Sequence, residues 1–302
     1  MLLDSASLYY RAYFGVPESV TAPDGTPVNA VRGFLDMVAT LVVAHRPTRL
    51  VACWDDDWRP DFRVAAIASY KAHRVAEERT SVDVEQTPET LLAQVPVIVD
   101  VLAALGIAKV GHAGFEADDV IATLAERAGC PVDIVTGDRD LFQLVDDERG
   151  VRVLYTGKGV RNLEVVDQAR LAAKYGVSSG RGYAEMAVLR GDPSDGLPGV
   201  AGIGEKTAVG LLSRYGGLAP LLAAVRAADP GISPGQRAKL AAAQDYLALA
   251  PTVVDLVRDI AIGPVDDALP AQPVNVRALS VLAQRWGLRS SINRVLAALA
   301  GS

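Results

Sequence analysis

Through its first half this chain alternates short apolar runs with stretches of helical periodicity, and few folds accept that order. The apolar runs cover residues 2–3, 49–54, 107–110, 132–136 and 151–155. Helical patterns lie between them near 28–45, 61–71, 88–105 and 117–128. Strand–helix alternation predicts a parallel sheet with helices on both faces. The runs are mostly apolar rather than alternating, as strands covered on both faces require. From about residue 166 the pattern is all-helical, with amphipathic stretches near 167–175, 183–190, 206–215, 218–228, 233–249, 274–286 and 291–299. The reading is an α/β domain over 1–175, a mostly parallel central sheet flanked by helices, followed by an all-helical domain over 176–302. No period of 20–50 residues repeats, which excludes a solenoid.

The acids fall in places this topology makes informative. Asp4 follows the first strand and Asp55 the second, with Asp56 and Asp57 beside it. Glu116, Asp118 and Asp119 follow the third, and Asp138 and Asp140 the fourth; Asp192 and Asp195 come later. In an open α/β sheet the C-terminal strand ends face one crevice, where ligands bind. Carboxylates packed there without cations repel by several kcal/mol per close pair, on the order of 4 at intermediate dielectric. Hard dications relieve this, and Asp and Glu oxygens are the ligands Mg²⁺ and Mn²⁺ prefer. Two such ions activate water and stabilise both oxygens of an in-line phosphodiester displacement. Taken singly, Asp4 also reads as a turn cap, Glu116 to Asp119 as a helix N-terminus, and Asp138 to Asp140 as an Asx-turn. Asp56 and Asp57 read as solvated. Joint placement after successive strands is what the simpler readings do not account for.

The run Gly199-Val-Ala-Gly202-Ile-Gly204-Glu-Lys206-Thr207 is not a Walker A loop, because Glu205 separates the last glycine from Lys206. A glycine hairpin between two helices fits better. Gly202 and Gly204 allow close backbone approach, and a helix starting near Lys206 offers free N–H groups to a phosphate. A plain helix–turn–helix corner is the simpler alternative. Tyr70, Lys71 and Arg74 combine an aromatic with cations, the composition used for single strands; Arg11, Arg32 and Arg63 add positive charge. The segment 73–81 is polar and charged, and reads as mobile or as folding on binding.

Composition limits the alternatives. Two cysteines, Cys53 and Cys130, make no disulfide framework, and three scattered histidines make no zinc set. No apolar run is long enough to span a membrane, and the start lacks a secretory signal, so a cytoplasmic, nucleoid-associated location is expected. The first strand leaves so little chain before Asp4 that a few residues are expected to precede Met1. Net charge is −6, which alone argues against nucleic acid. Net charge ignores distribution: with the nine acids above set against cations, the remaining surface carries a small positive excess.

Taken together, Asp4-Ser5-Ala-Ser-Leu-Tyr-Tyr-Arg11, Phe62-Arg63, Tyr70-Lys71-Ala-His-Arg74, Glu116-Ala-Asp118-Asp119, Thr136-Gly-Asp138-Arg-Asp140, Gly191-Asp192-Pro-Ser-Asp195 and the glycine hairpin resemble the 5′-nuclease family. That family includes the 5′-nuclease domain of bacterial DNA polymerase I and the flap endonucleases; the match runs from residue 1 to about 260. The resemblance implies a PIN-like nuclease domain followed by a helix–three-turn–helix DNA-binding domain. It implies that Glu116, Asp118 and Asp119, with Asp4 and Asp55, hold one ion, some through water. Asp138, Asp140, Asp192 and Asp195 would hold a second. Lys71 and Arg74 would face the scissile phosphate and Tyr70 would stack on a base. Residues 71 to about 90 would form an arch over the 5′ strand. Gly202, Gly204, Lys206 and Thr207 would grip duplex backbone, often with K⁺. There are departures: Ser5 stands where Gly is usual, Gly196 where Asn is usual, and Arg190 where Met is usual. The first two are near the ions and would loosen the support around them.

The expectation is a monomeric, stand-alone 5′ flap endonuclease and 5′-3′ exonuclease, using Mg²⁺ or Mn²⁺ in Okazaki-fragment processing and repair, beside a DNA polymerase and a ligase. Two rivals are a catalytically weak 5′-junction DNA-binding protein and a ribonuclease sharing the sheet.

Overall fold

The computed structural model describes residues 1–75 and 85–301. Six strands form one sheet: β1 (Leu2–Asp4), β2 (Val51–Cys53), β3 (Ala108–Val110), β4 (Val132–Thr136), β5 (Val151–Tyr155) and β6 (Glu164–Val166). Their order is β3-β2-β1-β4-β5-β6. All neighbouring pairs are parallel except β5–β6. β6 was not anticipated, because three residues carry almost no periodicity. The chain reverses direction between β2 and β4 around central β1, the topological switch point at which an open α/β sheet forms its crevice.

Successive residues of the strands feed two cores, as the period-two geometry of a strand dictates. Leu2, Val51, Cys53, Ile134 and Val153 pack on one side with Val120, Ile121 and Phe142. Leu3, Ala52, Val135 and Leu154 pack on the other with Leu8, Phe34, Leu35 and Val101. The helices of the first half are α1 (Ser5–Gly15), α2 (Asn29–His45), α3 (Asp61–Ala66), α4 (Glu89–Leu92), α5 (Val95–Leu105) and α6 (Ala117–Arg127). α1 was missed because it buries only Ser5, Leu8 and Ala12, too thin a stripe to read. The expected helix over 61–71 stops at Ala66, and Lys71 adopts a left-handed backbone with φ of 47°. The expected helix over 88–105 breaks at Gln94, whose buried side chain serves a different helix. Its Oε1 accepts the Ala30 N–H at 2.8 Å and the Val31 N–H at 3.3 Å, capping α2, while its Nε2 donates to Asn29 Oδ1 at 3.0 Å.

The second half contributes α7 (Gln168–Tyr175), α8 (Gly180–Arg190), α9 (Glu205–Tyr215), α10 (Leu218–Arg226), α11 (Pro234–Ala242), α12 (Gln244–Val254), α13 (Val276–Arg285) and α14 (Arg289–Ala300). One helix was expected over 233–249; a capping box of Ser233 and Gln236 starts α11, and the chain turns at Ala243 before α12. The 176–302 unit is corrected at its end. Leu279, Leu288, Ile292, Val295 and Leu299 of the last two helices are buried with Phe34, Leu35 and Val101, on the far side of the sheet from α8 to α12. Arg294 anchors them to Asp36 of α2 at 2.7 Å. No single described helix is long and apolar enough to cross a membrane.

The buried Gln94 side chain bonds four groups, the Ala30 and Val31 N–H, Asn29 Oδ1 and Thr90 O, so Gln94→Ala is expected to cost about 1–3 kcal/mol. A lowered urea midpoint with unchanged slope would show it; an unchanged midpoint would remove Gln94 as the cap of α2.

Candidate metal centre and nucleic-acid interface

The parallel sheet sends its carboxylates to one end, and local hydrogen bonding fixes each. Asp4 caps α1: Oδ1 accepts the Ser7 N–H at 3.1 Å, and Oδ2 accepts the Thr136 hydroxyl at 2.6 Å. The same Thr136 oxygen accepts the Asp138 N–H at 2.8 Å, so one hydroxyl joins the ends of β1 and β4. Thr136 was not read as functional, although its place directly before Gly137-Asp138 was the available signal. Asp55 accepts the Ala117 N–H at 2.8 Å and so bonds the start of α6. Asp138 closes an Asx-turn by accepting the Asp140 N–H at 2.9 Å. Asp192 similarly accepts the Ser194 N–H at 2.8 Å.

Electrostatics tie the acids into one group. Burial, opposed by hydrogen bonds but reinforced by the Asp138 charge, pushes Asp4 up to about 6. Burial, then the charges of Asp4 and Glu116, push Asp55 up to about 7. Asp118 lies well above the usual carboxylate range through burial and the charges of Asp4, Asp138 and Glu116. Asp140 does so through burial and those of Asp138, Asp195 and Asp192. Asp4, Asp118 and Asp140 all feel the charge of Asp138, and Lys71 opposes it at each, so the crevice concentrates negative charge around one cation. Among the described residues no three Asp, Glu, His or Cys side chains close on one point tightly enough to hold an ion by themselves. The set fits hydrated hard dications, which keep several waters and reach part of their carboxylates through them.

The basic residues lie against this group. Lys71 Nζ donates to Glu116 Oε2 at 2.5 Å, and its backbone N–H to Asp195 O at 3.0 Å. Burial opposes the Lys71 charge, but Glu116, Tyr70 and Asp195 hold its pKa above the ordinary value. Arg74 donates to Asp195 Oδ1 at 2.7 Å and Ser194 O at 2.9 Å. Arg59, unremarked in the sequence, holds the turn before them through Tyr70 O at 2.6 Å and Ala68 O at 3.0 Å. The turn lies against Gly196, where an added Cβ would meet Ser69 O at 2.1 Å and where φ is 73°. The expected loosening at Gly196 is therefore corrected: lack of a side chain there lets the turn close. Ser5 places a buried hydroxyl at the start of α1 with no hydrogen-bond partner.

Three expected roles are also corrected. Arg63 is 1% exposed and reaches no solvent, so it is not a DNA contact. Both oxygens of Asp119 accept from it at 2.7 Å, and Oδ1 also accepts the Val257 N–H at 2.9 Å. Asp119 is thereby held by Arg63 and backbone N–H groups on both of its oxygens. Tyr70 is buried and donates its hydroxyl to Glu116 Oε1 at 2.6 Å, leaving no ring face open to a base. Asp56 is solvated as expected, near Lys109 at 3.6 Å. Half-buried Arg11 reaches beside Gly137, next to Asp138. Gly202 (φ 72°), Gly204 and Lys206 are exposed, Thr207 is half-buried, and α9 starts just after Gly204. Of the expected arch, residues 76–84 lie outside the described residues.

Two outcomes separate structural from ionic roles. Asp119→Asn is expected to cost about 3–5 kcal/mol, because it strands a buried guanidinium, whereas Asp138→Asn leaves the melting temperature near that of the parent. Equal melting of the two variants would undo the distinction. The raised carboxyls bind protons more tightly folded than unfolded. Their stabilising contribution is complete below the ordinary value of 3.8 and is lost as pH rises through about 6 to 7. Chelator-treated protein is therefore expected to melt lower at pH 8 than at pH 5. Added Mn²⁺ should raise the melting point more at pH 8; an equal rise at both would contradict a carboxylate ion site.

Comparison with known proteins agrees with this geometry. Residues 1–176 match the family model described as "5′-3′ exonuclease, N-terminal resolvase-like domain", and residues 179–277 match "5′-3′ exonuclease, C-terminal SAM fold". A 5′-3′ exonuclease of Streptomyces coelicolor is 62% identical over 300 residues, covering 99% of both chains. DNA polymerase I of Mycobacterium bovis is 40% identical over 277 residues, covering 90% of this chain and 29% of the polymerase. The bacteriophage T5 D15 flap endonuclease, solved as a pseudo-enzyme-product complex with DNA and metal ions, shares the fold. Its TM-score is 0.63 at 16% identity, covering 99% of this chain and 98% of that one. By both halves of its sequence and by relatives spanning its whole length, this chain belongs to the 5′-3′ exonuclease family.

Proposed function

We propose that this member of the family is a structure-specific 5′ nuclease, which hydrolyses DNA phosphodiesters at 5′ flaps and processively from 5′ ends with Mg²⁺ or Mn²⁺. The observation that carries the reading is the convergence of strand-end carboxylates from β1, β2, β4 and the start of α6 with Lys71 and Arg74 against them. Asp4, Asp55, Glu116, Asp118, Asp138, Asp140, Asp192 and Asp195 are the groups that would hold the ions. Bound there, the ions supply activation of water and neutralisation of the phosphate. Lys71 and Arg74 neutralise charge growing on the phosphate as it is displaced. Tyr70 and Arg63 keep the Glu116 carboxylate in place through both of its neighbours.

The glycine hairpin holds duplex backbone through the N–H groups at the start of α9, with Lys206 and Thr207 beside them, a contact that positions without reading bases. Lys239 Nζ donates to Gly202 O at 3.0 Å. A K⁺ ion at the hairpin would take its oxygens from other residues. A flapped or nicked junction bends cheaply, and the separation of hairpin from crevice suits a bent substrate. The reading places the protein in the cytoplasm on nucleoid DNA, as a monomer, trimming 5′ strands for a polymerase and a ligase that complete the repair.

The test is incubation of 5′-labelled flap, nicked and blunt DNA with Mg²⁺, Mn²⁺ or chelator, followed by sizing of products. Asp138→Asn and Asp140→Asn are each expected to lower cleavage at least about a hundredfold while flap binding in Ca²⁺ persists. Cleavage in chelator, or at the parental rate in either variant, would overturn the reading. Tight binding with no cleavage by the parent in Mg²⁺ would favour a junction-binding protein instead.

A further inference from the structure

We propose that Arg190 is a phosphate-binding residue, gripping the DNA backbone in the groove that opens beside the carboxylate crevice. The inference rests on the nuclease reading and deepens it by naming a residue that binds the DNA backbone. Arg190 ends α8, directly ahead of Gly191 and Asp192. It lines a groove of about 400 Å³ together with Asp138, Arg139, Asp140, Asp192 and Ser194. That groove admits a backbone segment beside the ions.

The guanidinium has one partner on the groove and one outside it. Its Nε donates to Gly191 O at 3.2 Å, and its Nη1 donates to Glu205 Oε2 at 3.3 Å, in the first turn of α9 beside Lys206. The Arg190 side chain is 24% exposed and that of Glu205 is 42%, so the pair is long, wet and weak. A guanidinium carries five donors in a planar fork, which leaves capacity for phosphate oxygens. A fixed cation next to Asp140 and Asp192 works against dication binding unless an anion lies between them. Arg139, exposed on the loop after β4, supplies a second cation to the same groove. Asp138, Asp140 and Asp192 outnumber the two arginines on the groove, so a phosphate drawn to dications held there would also meet the guanidinium groups.

The test titrates 5′-flap DNA in Ca²⁺ from about 50 to 200 mM salt with the parent, Arg190→Met and Arg190→Lys, and measures kcat and KM in Mg²⁺. Arg190→Met is expected to weaken binding about 5- to 30-fold on every DNA sequence and to lower the salt slope by about 1. Arg190→Lys restores most of the slope, and kcat at saturating DNA moves less than KM. Matching melting curves check that the variant folds. Unchanged affinity and slope in Arg190→Met would overturn the inference alone, as would a fall in kcat with affinity intact. Failure of the parent to bind flap DNA would remove the nuclease reading and this inference together.

Discussion

One buried ion pair makes the acidic crevice compatible with a folded protein. Arg63 lies between α3 and α6, forks onto both oxygens of Asp119, approaches Glu116 at 3.2 Å and donates from Nε to Val253 O at the end of α12. A guanidinium so enclosed must be matched by carboxylates, and Arg63 offsets part of the charge of Asp119 and Glu116. Removing either partner of such a pair is costly because the other charge stays buried. The same contacts help tie the sheet domain to the helices of the second half, together with Gln143 at Val254 and Leu256 and Thr123 at Val257 and Ile260.

Much of this was legible in the sequence. The parallel sheet followed from the alternation of elements, and β4 and β5 were read to the residue, because each is a five-residue apolar run between turn signals. The convergence of acids followed from topology alone. What escaped were elements with too little periodicity to register: the thin stripe of α1, the three residues of β6, and the break at Gln94. Sequence order also hid the return of α13 and α14, since an amphipathic face does not say which core it covers.

The site was legible by location and less so by role. Arg63, Asp119 and Tyr70 were placed correctly near the crevice and assigned outward-facing work, but all three turn inward. Residue type cannot decide this, because an arginine that binds phosphate and one that braces a carboxylate look alike until burial is known. The simpler readings of Asp4 and Asp138 also proved true: each caps or turns the chain. Structural and ionic duties coexist there because a carboxylate has more lone pairs than one N–H can use.

Gly196 has a consequence beyond its own loop. Its Cα faces the carbonyl of Ser69 across a gap too narrow for a methyl group, and its own carbonyl accepts the Ser69 hydroxyl at 2.8 Å. Two segments more than a hundred residues apart thus share one dimension. In this chain the lysine-bearing turn is seated on the backbone next to Asp195, and the resting distance between cation and crevice depends on there being no side chain between them.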